Sequence, residues 1–248
     1  MNSSNPTLGA FNRVGAMGLS YGNNDTMSIE GTINKTGILG AILLLTFGMT
    51  WYTCQAATSS AYIFAMPGAI IGLILALVIS FKPTTAPYLS PVYAAVEGVF
   101  LGAISLFLEG MYPGIALQAA LLTFSTLFVM LVAYRTKLIV VNNTFRAVIV
   151  GATMSIFVYY LIAMGCSFFS ISLPGMTLGD NSWLSIGIRL VIVVVAAMNL
   201  ALDFDMISEN SGNAPKYMEW YGGFALLVTL VWLYVEFLRL LAALRGRN

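Results

Sequence analysis

A chain of 248 residues with 59% hydrophobic and only 8% charged residues cannot cover itself with polar surface in water, since soluble domains carry roughly 25% charged residues. A net charge of +1 with no basic run excludes a nucleic-acid partner. The absence of histidine removes the commonest metal ligand and the usual proton shuttle, so any proton chemistry here runs on carboxylates.

With a mean hydropathy of +0.88, the composition predicts an all-α polytopic membrane protein. Residues 1–34 are polar and rich in Gly, Asn and Ser, and form an expected cytoplasmic tail ahead of a membrane domain over 35–248. No apolar core follows Met1, so no cleaved signal peptide is expected. Stretch MSIEGTIN reads as a short ordered lead-in at the membrane surface.

Seven apolar runs follow, at 36–55, 60–81, 91–108, 114–134, 145–168, 183–205 and 219–242. Each approaches the ~20 residues that span a hydrocarbon core. Only Gln55 to Ser59 parts the first two, which predicts a tight helical hairpin. Lys82-Pro83 closes the second run, because proline cannot continue a helix packed on its own backbone. Gly110 and Pro113 bracket the third turn, and SFFSISLPGMTLGDNSW makes a longer fifth loop. The spacing of Gly98 and Gly102 suits close helix approach in lipid. Cys54 and Cys166 lack CxxC spacing and read as small buried hydrophobes. No internal repeat supports a transporter built from inverted halves.

Basic residues set the expected orientation. The tail and the second, fourth and sixth loops hold Arg13, Lys35, Lys82, Arg135, Lys137, Arg146 and Lys216, while the odd-numbered loops hold none. The amino terminus is therefore expected inside, and after seven spans the carboxyl end, with Arg245 and Arg247, outside. The bare loops suit a bacterial inner membrane.

The sixth run, Leu190 to Asp205, ends in two acids. An ionised acid near hydrocarbon costs about 2.5–3.5 kcal/mol on insertion scales, which makes an intramembrane acid a functional candidate. At ~1.5 Å per helical residue, Glu97, Asp203 and Asp205 fall in one layer near the inner face, with Lys82 the nearest cation. In that layer acids outnumber cations, so at least one carboxyl must share or hold a proton. This is the ingredient list of a pH-sensitive gate or a cation site. The plainer reading is that Asp203 and Asp205 cap the sixth helix in headgroup water; their i, i+2 spacing lets only one point into the bundle. Near the outer face, Arg189 and Glu236 form an expected ion pair, with Arg239 one turn further out. Glu109, Asp180 and Glu219 lie near loops and read as solvated.

No HExxH, GxSxG or Walker pattern occurs, and no histidine can activate a serine, so no enzyme and no cofactor are expected.

The segment Asp203-Phe-Asp-Met-Ile-Ser-Glu209 resembles the Asp-Thr-Gln-x-Ile-x-Glu motif of the Bax-inhibitor (transmembrane BAX inhibitor motif) family, bacterial branch. Gly98-Val-Phe-Leu101-Gly102-Ala103 is similar to the family's Gly-x-x-Leu-Gly-Pro, and Ala119-x-x-x-Thr123 to its Ala-x-x-x-Thr-Ala, with Ala103 and Phe124 replacing the motif's Pro and final Ala. TLGAFNR, SIEGTINKTG, FKPTTAP and APKYMEWYGGFALLVTLVWLYVEFLRLL extend the likeness along most of the chain.

The resemblance implies a seven-helix bundle with a central last helix. It also implies a pH-sensitive leak for cations, calcium the candidate permeant ion, in which acids on helices six and seven share a proton. Asp203 falls at the helix-six acid. On helix seven the alignment favoured by spacing places Thr229 where the family has its acid, and a shifted alignment places Glu236 there. Glu97 is then the candidate to complete the switch. The alternative function is a non-conducting regulator that binds a membrane protease or quality-control partner through its tail and loops. The lipid bilayer is the remaining expected partner.

Overall fold

Each apolar run becomes one helix, and nearly every helix outruns the hydrocarbon segment that nucleates it. The computed structural model describes residues 26–55, 58–167, 169, 173–175 and 180–247, with backbone alone for 58–64. The tail as far as residue 25, with its TLGAFNR stretch, lies outside the described residues, as do two residues of the first hairpin turn and much of the fifth loop. Among the described residues there are seven α-helices: α1 (Ile29–Cys54), α2 (Thr58–Phe81), α3 (Ala86–Met111), α4 (Ile115–Arg135), α5 (Asn143–Ser167), α6 (Trp183–Asn210) and α7 (Met218–Arg245). Six are long and apolar enough to cross a membrane; the described apolar part of α2, Ala65–Phe81, is shorter. The protein is an all-α integral membrane protein.

The punctuation follows the sequence. α2 stops at Phe81, and Pro83 opens a single 3-10 turn, Pro83–Thr85, before α3. Gly114 takes φ +81, a left-handed conformation that suits glycine. There it starts α4, with Glu109 accepting from Gly114 N at 2.5 Å and Ala116 N at 3.1 Å. Glu109 therefore caps a helix rather than facing bulk water. α1 begins at Ile29, inside the stretch that composition assigns to the polar tail, because Ser28 caps it and accepts from Gly31 N.

Two units divide the chain, one built from residues up to Phe107 together with Asp203–Val228, the other from Leu108–Leu202 and Thr229–Asn248. In the first, glycines set the closeness of helix packing. A methyl group on Gly98 would meet Thr46 and the Leu43 carbonyl, and one on Gly102 would meet the Phe47 carbonyl at 2.8 Å. The small-residue spacing on α3 thus serves contact with α1. Cys54 packs with Ala103 and Leu106, as a small hydrophobe.

α7 contributes to both units and is buried in each. Leu233 to Leu238 are all buried, and burial on every side marks a helix enclosed by protein. By contrast only 11% of the most apolar window of α5 is buried, and 22% of that of α1. Their exposed Leu, Ile, Val, Met and Phe side chains form the surface offered to lipid.

Candidate functional site

In the first unit, α3 presents Ser90, Tyr93, Ala94 and Glu97 on one buried face, the i, i+3, i+4, i+7 pattern of a helix turned to its core. Glu97 is 7% exposed. Tyr93, one turn earlier, donates its hydroxyl to the Glu97 carboxylate. The second carboxylate oxygen, Oε2, is buried and has no hydrogen-bond partner among the described residues. α2 makes room with Gly72, where an added methyl would overlap the carboxylate.

From Tyr93 a file of rings leads away. Its ring meets that of Phe224 edge-on, with centroids 5.0 Å apart and planes at 77°. Phe224 lies 6.1 Å from Tyr221, and Tyr221 lies within electrostatic reach of Asp203. Glu97 and Asp203 are thus linked through Tyr93, Phe224 and Tyr221. Asp203 and Asp205 are both half-buried and both engage neighbouring groups. They sit within α6 rather than at its tip, because the helix runs on to Asn210. Lys82 is exposed in the turn after α2 and makes no ion pair among the described residues. Thr229, the expected helix-seven motif position, is buried and engages a neighbouring group.

The second unit holds a separate charged cluster. Glu236 is 1% exposed and accepts from the Tyr160 hydroxyl at 2.6 Å. Arg239 lies 3.6 Å from the same carboxylate oxygen and 5.7 Å from the centre of the Tyr160 ring. Arg189, buried at 1% exposure, donates Nε to the Gly175 carbonyl at 3.2 Å and a terminal nitrogen to the Arg239 carbonyl at 2.5 Å. Arg189 and Glu236 thus share a cluster with Tyr160 and Arg239, in which Arg239 lies against the Glu236 carboxylate, Arg189 clamps two backbone carbonyls, and Glu236 acts electrostatically on Arg189. Asp180, in the preceding loop, accepts from Ser185 and from Ser182 N at 3.1 Å. These hydrogen bonds hold its carboxyl down to about 2.

Two features were missed at the level of sequence. One is the pair of tyrosines, Tyr93 and Tyr221; the spacing of Tyr93 four residues before Glu97 was the available signal. The other is Glu219, expected in solvent but 2% exposed. It accepts from Ser28 N at 3.1 Å and Ser28 Oγ at 2.9 Å, across 191 residues of chain. No local pattern announces such a partner. Burial and hydrogen bonding make Glu219 an anchor for the start of α1.

Among the described residues no group of three or more His, Cys, Asp or Glu gathers at metal-binding spacing. Residues 5–246 match a family model described as Bax inhibitor 1 like. No curated protein and no solved structure matches the chain.

Proposed function

The chain belongs to the Bax inhibitor 1-like family of membrane proteins, and from that premise we propose that it passes cations, calcium among them, at a rate set by protons on Glu97 and Asp203. The observation that carries the reading is Glu97. A carboxyl buried in a membrane-spanning helix, with one oxygen satisfied by Tyr93 and the other by no described group, costs several kcal/mol as a bare anion. It is stabilised by a proton or by a passing cation, and those two compete for one oxygen. Competition of that kind makes cation passage depend on pH. Calcium suits the site as a hard cation that takes oxygen ligands.

Asp203 is the second member of the switch. The Tyr93–Phe224–Tyr221 run of rings leads from Glu97, which holds the Tyr93 hydroxyl, to Tyr221 within electrostatic reach of Asp203. Because Thr229 stands where the family places its helix-seven acid, Glu97 supplies the missing carboxyl. The excess of Lys and Arg in the tail and even-numbered loops supports a cytoplasmic amino terminus, and the bare odd-numbered loops suit a bacterial inner membrane.

The test is calcium flux into liposomes carrying the purified full chain, followed with an entrapped dye while external pH is varied. Flux should depend on pH, and Glu97→Gln and Asp203→Asn should each flatten that dependence. If both variants keep the parent's rate and pH response, the proposal is wrong.

A further inference from the structure

Hydroxyl side chains on these helices satisfy themselves on their own backbone. Thr32, Thr36, Thr50, Thr123 and Thr126 each donate to the carbonyl four residues back, at 2.8 to 2.9 Å. Ser155 does the same at 2.9 Å. Ser90 breaks the pattern. It is fully buried, and its Oγ has no hydrogen-bond partner among the described residues.

Seven residues further along the same buried face stands Glu97, whose Oε2 is likewise without a partner. At ~1.5 Å per residue the two levels are about 10 Å apart on the α3 axis, too far for a direct bond. Tyr93 stands between them with its hydroxyl on Glu97. A buried polar atom without a partner costs about 1–3 kcal/mol, and ordered water is the usual remedy where several such atoms line one route.

We propose that the buried face of α3 binds a short file of water molecules from Ser90 to Glu97, and that this file is the route by which protons reach the Glu97 carboxyl. Ser90 Oγ supplies a donor and an acceptor, Tyr93 Oη and Glu97 supply the far end, and protons pass along the file by successive hydrogen-bond exchange. The groups facing Glu97 leave the route little competition. α2 opposes it with Gly72 and α1 reaches the adjacent Gly98 with Thr46. α7 contributes Phe224 and Tyr221 through Tyr93, and Asp203 of α6 lies beyond Tyr221. The inference rests on the reading of Glu97 as the protonated carboxyl of the proposed leak, but not on conduction itself.

The test is infrared spectroscopy of the full chain in lipid on transfer to deuterated water, with the Glu97 carboxyl band assigned by its loss in Glu97→Gln. Ser90→Val and Ser90→Thr have the same shape and differ in the hydroxyl. Exchange at Glu97 should be slowed about tenfold or more in Ser90→Val, the scale of one lost hydrogen bond in the relay, and should stay near the parent rate in Ser90→Thr. Equal rates in the two variants overturn the route, as does the absence of any protonated band that Glu97→Gln removes. Calcium flux is measured on the same samples. A silent leak with hydroxyl-dependent exchange removes the proposed conduction and leaves the water route standing.

Discussion

Replacing Glu219 with alanine is the sharpest test of how the start of α1 is held. The wild-type carboxylate accepts two hydrogen bonds from Ser28, through N at 3.1 Å and Oγ at 2.9 Å, while being 2% exposed. It also lies against the amino end of α1, where negative charge is favourable. Hydrogen bonds to a charged group are worth about 1.5–3 kcal/mol each, and water admitted after truncation recovers part of that. Glu219→Ala should therefore cost roughly 2–4 kcal/mol, against about 1 kcal/mol for Glu219→Gln, which keeps an acceptor oxygen. Ser28→Ala should cost about 1–2 kcal/mol, because it also removes the cap on Gly31 N. The double variant should fall short of the sum by about 1–2 kcal/mol, the sign of two residues sharing one interaction. Equilibrium unfolding of the purified chain in a fixed detergent gives all four values. Glu219→Ala within about 0.5 kcal/mol of the parent, the range of ordinary surface substitutions, would refute the reasoning.

Two further outcomes follow from the geometry. Gly72→Ala places a methyl in the space of the Glu97 carboxylate and should cost about 1–3 kcal/mol by overpacking; combining it with Glu97→Ala should relieve most of that loss, read by thermal unfolding. Asp180 is held below its ordinary value of 3.8 to about 2. Its contribution to folding is therefore complete above that ordinary value and disappears as pH falls toward about 2. Carbon NMR of labelled aspartate should show this midpoint, and Ser185→Ala should move it up toward 3.8, the ordinary value; an unchanged midpoint would discard the Ser185 contact.

The spans were readable because lipid demands runs of apolar residues at one length scale. The turns at Lys82-Pro83 and Gly110–Pro113 fell where proline and glycine put them. Helix ends were less legible: α6 runs to Asn210, beyond Asp203 and Asp205, because a polar helix continues readily into headgroup water. Glu97 stands out in the sequence as an acid inside an apolar run, and its side chain is buried. Its surroundings could not be read there, since Gly72, Phe224 and Tyr221 arrive from helices distant in the chain. Glu219 was misread for the same reason. Its partner Ser28 lies at the opposite end of the sequence, and proximity to a loop says nothing about what a folded loop covers. Arg189 and Glu236 stand out in the sequence as charges inside apolar runs and both are buried, while the contacts of Tyr160 and of two backbone carbonyls required coordinates.

The link between the beginning of α1 and the beginning of α7 bears on the order of assembly. Met27 N donates to the Ala214 carbonyl at 2.7 Å and Gly212 N to the Met27 carbonyl at 2.8 Å, beside the Glu219 anchor. Translation at ~5–20 residues per second delivers Ser28 long before Glu219 leaves the ribosome, a delay on the order of ten seconds or more. During that interval the first helix must wait in the bilayer with its leading amides satisfied only by Ser28 and water. Ribosome-bound chains stopped short of Glu219 should thus be cut by protease near Met27, and chains carried past the end of α7 should resist.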